Sequence, residues 1–217
     1  LKEGVSKCGN MDQNGQKSEA VMVANLSDAP LKISFTDVSP FLKLAVTPNP
    51  IPARGTAELT YTITADRSLW GKNYYWAVPV VNGKTYTSNE GEKKIGFWAF
   101  TREDFSAVSA DGKKNGPRPA FKESTYSFGK VRQGEKVVAE YTFKNDGKSP
   151  FKVYKVDADS DIYCSGVPEA APGESVTFKI ELDTKDMPKG ESLTIVTLTT
   201  NSPLRPIVNL FIAGFIE

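Results

Sequence analysis

Residues 25–33 read Asn25-Leu26-Ser27-Asp28-Ala29-Pro30-Leu31-Lys32-Ile33, and residues 145–153 read Asn145-Asp146-Gly147-Lys148-Ser149-Pro150-Phe151-Lys152-Val153. The asparagine, the proline and the lysine hold the same places in both stretches, which lie 120 positions apart (145 minus 25). A repeat with so long a period indicates two copies of one folding unit.

The same shift extends over most of the chain. Residues 1–9 align with residues 121–129, and two later pairs align at a shift of 119, namely Gly71 with Gly190 and Asn82 with Asn201. A chain of 217 residues accommodates two domains of about 100 residues each. We therefore predict a first domain over residues 1–101, a linker over 102–119 and a second domain over 120–217.

The predicted linker is rich in glycine, proline and lysine, which is typical of a connecting segment. It also contains two apolar residues, Phe105 and Val108, which are expected to dock onto a domain. The linker is therefore predicted to be only partly free.

Strand patterns dominate both repeats. Ala57, Leu59 and Tyr61 alternate with polar residues, and so do Val176 and Phe178 in the second repeat. A period of two with one apolar face indicates strands of a half-buried sheet. The predicted strands are Glu19–Asn25, Leu31–Phe35, Leu42–Thr47, Ala57–Thr64, Tyr74–Val81, Lys94–Thr101, Thr125–Phe128, Val137–Lys144, Phe151–Val156, Ser175–Leu182, Leu193–Thr200 and Ile207–Ile216.

Turn residues separate these strands. Asn82-Gly83 is a strong signal for a two-residue hairpin, and Pro172-Gly173 precedes a strand of the second repeat. No segment carries a helical period. Many short strands separated by turns predict an all-β fold of two tandem immunoglobulin-like β-sandwiches, with about seven strands in each.

Composition excludes several classes of function. The formal net charge is +1, so no overall field favours nucleic acid or an anionic membrane. No apolar run reaches the roughly 18–20 residues of a membrane span. Leu1 is expected to lie in the first strand, so no signal peptide is recognisable and targeting cannot be read directly. The chain has no histidine and only two cysteines, so neither a histidine-dependent catalytic triad nor a zinc site is expected.

The second repeat resembles the bacterial DUF1573 family. The resemblance rests on Phe121-x6-Phe128-Gly129-Lys130-Val131, on Tyr141-x-Phe143-x-Asn145-x-Gly147, on Ala171-Pro172-Gly173-Glu174 and on Thr200-Asn201-Ser202-Pro203. The first repeat is similar but matches more loosely. The resemblance implies an immunoglobulin-like fold and export across the inner membrane, to the periplasm or the cell surface. It implies no reaction and no cofactor.

The cysteines depart from the pattern of that family. Many members carry a Cys-x-Cys pair after the third strand, whereas this chain has Ile162 and Cys164 there. Cys8 aligns with Phe128, a predicted core position, and Cys164 also falls at an inward position. We expect two buried thiols rather than a disulfide, because separate cores would keep the thiols beyond the reach of about 7 Å between Cα atoms.

An acidic run is the one candidate for a metal site. Asp157, Asp159 and Asp161 have the spacing of the first ligands in a calcium loop. A calcium loop then requires a glycine at its sixth position and a glutamate at its twelfth, but this chain has Ile162 and Pro168 there. A solvated strand end is therefore the favoured interpretation, and no metal ligand is predicted.

The segment Trp70-Gly71-Lys72-Asn73-Tyr74-Tyr75-Trp76 is the candidate binding surface, because the second repeat has no aromatic residue there. Tyr74 and Trp76 share one face of the predicted strand, and Tyr75 takes the other. Exposed aromatic rings stack on sugars or anchor protein partners. The alternative is that the group packs in the core or on the linker. Trp98 and Phe100, with Phe97 on the opposite face, fit either the exposed or the buried group.

These observations favour a non-enzymatic, exported envelope protein whose sandwiches make protein–protein or structural contacts. The alternative is a carbohydrate-binding module that uses Trp70, Tyr74, Tyr75 and Trp76. An enzyme is not expected, because the acidic residues are scattered over turns. The expected partner is therefore an envelope protein or a glycan.

Overall fold

The computed structural model describes residues 5–66, 68–88, 91–166 and 168–217. The chain forms two compact units, and the boundary in the sequence falls between Thr101 and Arg102. The expectation that Leu1 lies in the first strand concerns a residue outside the described ranges.

Unit 1 is built from strands, most of which coincide with the alternating runs of the sequence. Its strands are β1 (Val5–Asp12), β2 (Gln16–Ala24), β3 (Ile33–Thr36), β4 (Leu42–Thr47), β5 (Thr56–Thr64), β6 (Gly71–Val81), β7 (Lys84–Thr85), β8 (Thr87–Ser88), β9 (Gly91–Glu92) and β10 (Ile95–Arg102).

The two main sheets of unit 1 enclose an apolar core. One sheet has the order β1-β10-β6-β3, with β7 paired to β6, and the other has the order β2-β5-β4. Core residues come from both sheets, including Ile63 and Phe97, which are 0% and 1% exposed. The buried Tyr61 hydroxyl donates a hydrogen bond of 2.9 Å to the carbonyl of Lys7, which ties β5 to β1 across the core. The turn between β6 and β7 is Asn82-Gly83, with φ of 48° and 77°, so the predicted hairpin is confirmed.

Unit 2 contains one short helix and nine strands among the described residues. These are α1 (Ala110–Asn115), β11 (Pro119–Phe121), β12 (Thr125–Val131), β13 (Lys136–Asn145), β14 (Phe151–Ala158), β15 (Ile162–Cys164), β16 (Glu169–Ala170), β17 (Ser175–Asp183), β18 (Gly190–Thr200) and β19 (Ile207–Ile216).

The sheets of unit 2 have the orders β11-β13-β17-β15 and β12-β19-β18-β14-β16, and β12 runs parallel to β19. Phe143 lies at the centre of an aromatic cluster, with ring centroids 5.2 Å from Phe121 and 5.1 Å from Phe151. The Tyr141 hydroxyl donates a 2.8 Å hydrogen bond to the carbonyl of Phe211, and burial raises the pKa of this phenol to about 12. The predicted all-β sandwich fold is therefore confirmed.

The asparagine that both repeats share, Asn25 and Asn145, has the same structural role in each unit. Asn25 and Asn145 are 1% and 0% exposed. Each Nδ2 donates to a carbonyl four residues ahead, Ala29 at 2.8 Å and Ser149 at 2.8 Å. A buried asparagine that satisfies backbone groups in this way holds the loop after β2 and after β13 in one conformation.

The segment predicted to be a linker is bound to unit 2. The backbone N–H of Arg118 donates to Oδ1 of Asn145 at 3.1 Å, and the Ser202 hydroxyl donates to the carbonyl of Pro117 at 2.6 Å. The expectation that no helix forms is wrong here, because α1 lies within this segment. Its first turn is capped by Ser109, whose hydroxyl accepts from the N–H of Gly112 at 3.1 Å. Six residues are too few to show a helical period.

Candidate functional site

The candidate site is the outer face of the β10-β6 pair in unit 1. Tyr74 and Trp76 on β6 are 56% and 41% exposed, because both point away from the core. Trp98 on β10 is directly opposite Tyr74 in the antiparallel register, and Gly96 is opposite Trp76. The three rings therefore share one face of the sheet.

Lysine side chains surround these rings. The ammonium of Lys72 lies 5.1 Å from the ring centroid of Trp98 and 5.2 Å from that of Tyr74. Lys7, on β1, lies 5.2 Å from Trp98, and Lys94 lies 5.2 Å from Trp76. Such distances are those of cation–π pairs. We name the set Lys7, Lys72, Tyr74, Trp76, Lys94 and Trp98 the aromatic–lysine face.

The loop between β3 and β4 anchors one end of this face. The Ser39 hydroxyl accepts a 2.8 Å hydrogen bond from the N–H of Trp76, and the Ser39 N–H donates to the carbonyl of Trp76 at 2.9 Å. The Lys94 ammonium donates to Asp37 at 2.9 Å, and this hydrogen bond lowers the pKa of the Asp37 carboxyl. Because that pKa is lowered, the ion pair is kept at neutral pH and is lost only below the ordinary range of an aspartate.

The four predicted site residues do not lie on one surface. Tyr74 and Trp76 lie on the aromatic–lysine face, whereas Trp70 is half-buried just before β6. Tyr75 is 4% exposed and belongs to the core, so its inclusion in a ligand surface is corrected. The reason is the period of two along β6, which turns its side chain inward.

Sequence reasoning missed the lysines of this face. Lys72 could have been found, because it shares a face with Tyr74 and Trp76 at the period of two. Lys7 and Lys94 lie far from this segment in the sequence, and only the pairing of strands brings them to the rings. Trp98, which fits either the surface or the core by sequence alone, is half-buried and lies on the outer face opposite Tyr74.

We expect that Tyr75→Phe stabilises unit 1 slightly. The Tyr75 hydroxyl is buried and has no hydrogen-bond partner among the described residues. The same burial raises the pKa of this phenol. Removing a desolvated, unpaired hydroxyl should raise the free energy of unfolding by about 0.5–1 kcal/mol. Urea unfolding followed by tryptophan fluorescence measures this change. A loss of stability greater than 1 kcal/mol would mean that the hydroxyl has a partner.

Both cysteines are free thiols. Cys8 is 1% exposed in the core of unit 1, and Cys164 is half-buried with its thiol 3.0 Å from the carbonyl of Gly166. Burial raises the pKa of both thiols. A thiol with a raised pKa is kept protonated and is a poor nucleophile and metal ligand.

The acidic run of unit 2 is used for local contacts. Asp157 lies 3.0 Å from the ammonium of Lys155, and Asp159 accepts a hydrogen bond from the N–H of Ile195 at 3.1 Å. Within the described ranges, no group of three or more histidine, cysteine, aspartate or glutamate residues is placed to hold a metal ion. No helix in the described part of the chain is long and apolar enough to span a membrane.

Comparison with solved structures supports the fold. A protein of unknown function from Porphyromonas gingivalis W83 is 15% identical, with a TM-score of 0.75 over 99% of this chain and 97% of that chain. The ASH/PapD-like domain of human CEP192 is 9% identical, with a TM-score of 0.39 over 48% of this chain and 87% of that chain. The first likeness shows the fold alone, and the second is too weak to support an argument.

Comparison with protein families points to unit 2. No curated protein matches this sequence. One family model matches residues 119–216, which is the region from β11 to the end of β19. That family is described as "Protein of unknown function (DUF1573)", and the second unit of the chain is therefore similar to a family without an assigned activity.

Proposed function

We propose that this chain is a non-enzymatic, exported protein of the cell envelope that binds a partner protein through the aromatic–lysine face. One observation carries the proposal: three exposed or half-exposed rings and three lysines converge on one sheet face. Large rigid rings with flanking cations are typical of the residues that dominate binding energy at protein interfaces.

The chemistry of the partner follows from the lysines. The ammonium groups of Lys7 and Lys72 add positive charge beside the rings, whereas that of Lys94 is paired with Asp37. A partner with carboxylates around an apolar centre therefore fits this face. The counterparts in unit 2 lack this character. Leu193 and Ile195 occupy the places of Tyr74 and Trp76, and they are 59% and 37% exposed.

A glycan is the second candidate. Tyr74 and Trp76 lie on the same face with Trp98 beside them, which suits stacking on successive sugar rings. A lysine ammonium lies over each of these rings, so an acidic polysaccharide fits better than a neutral one.

Export rests on the resemblance to the DUF1573 family. Fractionation of the source cells, followed by an immunoblot for this chain, tests it. Recovery in the periplasmic or surface fraction is expected. Recovery with a cytoplasmic marker would contradict the proposed location.

The binding face is tested with a matched pair of variants. The double variant Tyr74→Ala/Trp76→Ala removes the exposed rings, and Leu193→Ala/Ile195→Ala makes the equivalent change in unit 2. Both should melt within about 3 °C of the unchanged protein, because exposed side chains contribute little to stability. Each protein carries a photo-crosslinker in place of Val5, which is 54% exposed and lies next to Gly96 in the same sheet as the rings.

We expect an envelope extract to give a crosslinked partner with the unchanged protein and with the unit 2 control, and at least a ten-fold loss with the unit 1 variant. Identical crosslinking by the unchanged protein and by both double variants would show that the partner does not bind at the aromatic–lysine face. A panel of acidic and neutral polysaccharides in a thermal-shift assay separates the second candidate, since a bound ligand raises the melting temperature by mass action.

A further inference from the structure

The outer sheet face of unit 2 has an exposed apolar centre. Leu193 and Ile195 on β18 are 59% and 37% exposed, and Phe215 on β19 is 39% exposed. In the antiparallel register Ile195 is directly opposite Phe211, which is half-buried. Residues directly opposite each other point to one side of a sheet. These four side chains therefore form one apolar surface.

Carboxylates lie at the margins of this surface. Glu191 is exposed and lies directly opposite Phe215 in the register. Oδ1 of Asp159 accepts a hydrogen bond of 3.1 Å from the N–H of Ile195, so this exposed aspartate lies beside the apolar residues. We name the surface the apolar–acidic face, and its members are Asp159, Glu191, Leu193, Ile195, Phe211 and Phe215.

Lysines on the neighbouring strands do not cancel this negative charge. On β12, the ammonium of Lys130 lies 3.6 Å from the carboxylate of Glu217, and on β14 Lys155 lies 3.0 Å from Asp157. Each of these cations is thus matched by a carboxylate of its own. Neither Glu191 nor Asp159 forms an ion pair within the described part of the chain. The apolar–acidic face therefore carries an excess of negative charge.

The outer faces of the two units carry opposite charges at the same place in the fold. The shift of 119 makes Glu191 the counterpart of Lys72. On the aromatic–lysine face, the ammonium groups of Lys7 and Lys72 lie beside the ring of Trp98. A positive surface is complemented by one with carboxylates around an apolar centre. Unit 2 presents such a surface.

Large and small side chains are also interchanged between the two faces, judged from the residues opposite them in each register. Trp98 on β10 occupies the place that Ala213 occupies on β19. Gly96 on β10 occupies the place of Phe211 on β19. Sheets that pack face to face interdigitate the side chains of their facing surfaces. Because the large residues stand at different places, the two faces suit such packing better than two copies of either face.

We propose that the partner of the aromatic–lysine face is the apolar–acidic face of a second copy of this chain. The inference rests on the proposed function, since it names the partner protein for the same face. The contact joins two different surfaces, so it is heterologous, and it continues from copy to copy or closes into a ring.

Two complementary variants of the purified full-length protein test this pairing. Tyr74→Ala/Trp76→Ala removes the exposed rings of unit 1, and Leu193→Ala/Ile195→Ala removes the apolar centre of unit 2. In sedimentation velocity at up to about 100 μM, which reveals interfaces of micromolar affinity, the unchanged protein should self-associate and neither variant should do so alone. An equimolar mixture of the two variants should form a dimer and nothing larger, because each pair of copies retains one intact face of each kind.

The other outcomes of this experiment overturn the proposal. Self-association of Leu193→Ala/Ile195→Ala alone would mean that the aromatic–lysine face binds its own kind. Self-association of Tyr74→Ala/Trp76→Ala alone would mean the same for the apolar–acidic face. A mixture that stays monomeric, with both variants folded by circular dichroism, would mean that the two faces do not pair.

Charge variants test the same contact while every apolar side chain is kept, and they replace the alanine variants if those do not fold. Lys72→Glu should weaken self-association at least about ten-fold, because like charges then meet. Adding Glu191→Lys to the same chain should restore part of the loss, since opposite charges meet again. Added salt should weaken self-association of the unchanged protein by screening. Equal self-association of the unchanged protein, Lys72→Glu and the double variant would contradict the pairing.

A matched control and the crosslinking experiment complete the test. Met22→Ala/Val138→Ala removes exposed apolar side chains from the other sheet of each unit, where they are 68% and 43% exposed, and should keep self-association. Loss of self-association in this control would overturn the assignment to the two named faces. Crosslinking from Val5 to a different envelope protein, without self-association of the purified chain, would keep the proposed function and overturn this inference.

Discussion

Replacing Asn145 by alanine is expected to destabilise unit 2 strongly. The Asn145 side chain is wholly buried and joins four backbone groups. Its Nδ2 donates to the carbonyls of Ser149 and Ala170 at 2.8 and 3.1 Å, and its Oδ1 accepts from the N–H groups of Arg118 and Gly147 at 3.1 and 3.0 Å. Each buried polar group left without a partner costs about 1–3 kcal/mol. We expect a total loss of about 3–5 kcal/mol, a large fraction of the stability of a single domain.

The distribution of tryptophan makes this prediction measurable in the intact chain. All three tryptophans, Trp70, Trp76 and Trp98, belong to unit 1. In urea, tryptophan fluorescence therefore follows unit 1, whereas far-ultraviolet circular dichroism follows both units. Asn145→Ala should lower the urea concentration at which unit 2 unfolds, as seen by circular dichroism. The fluorescence transition, which reports unit 1, should stay unchanged.

Two further variants serve as controls for this result. Asn25→Ala makes the equivalent change in unit 1 and should move the fluorescence transition instead. Asn209 is exposed, and Asn209→Ala should change stability by no more than about 0.5 kcal/mol. An unchanged dichroism transition for Asn145→Ala would show that the buried asparagine does not hold unit 2 together.

Gly147→Ser is expected to release the segment that connects the units from its place on unit 2. A Cβ at residue 147 would lie 2.7 Å from the backbone nitrogen of Arg118 and 2.7 Å from Cα of Pro117, and backbone atoms cannot yield as a flexible side chain does. Overpacking together with the lost hydrogen bonds should cost roughly 2–4 kcal/mol. The counterpart of Gly147 in unit 1 is Ser27.

Limited proteolysis with trypsin reports this release, because α1 contains Lys113 and Lys114. Cleavage after these lysines should accelerate at least ten-fold in Gly147→Ser, since local opening precedes cleavage. Ser27→Gly is the reverse change in unit 1 and should leave the cleavage rate unchanged. Equal cleavage of Gly147→Ser and the unchanged protein would show that the segment tolerates a side chain at residue 147.

The sequence alone predicted many strands of both units, although β1 (Val5–Asp12) lies in none of the predicted runs. The predicted strand Leu42–Thr47 coincides with β4, and the predicted strand Ile207–Ile216 coincides with β19. The physical reason is local, because a half-buried strand must alternate apolar and polar residues. The helix α1 was missed, since its six residues are too few for a helical period, and its ends are held by the Ser109 cap and by the N–H of Lys148, which donates to the carbonyl of Asn115.

The candidate site was predicted only in part. The aromatic segment was found because it breaks the similarity between the repeats. Alternation showed that Tyr74 and Trp76 share a face and that Tyr75 takes the other, but both faces carry aromatic rings, so local pattern could not decide which one is buried.

The sequence by itself thus determined many of the strands, the internal repetition and the aromatic segment, because each is recorded in local pattern or in direct repetition. Only the tertiary structure decided that Tyr75 lies in the core and that Lys7 and Lys94 meet Trp98 and Trp76. These features depend on contacts between strands far apart in the chain, and packing, rather than periodicity, sets such contacts.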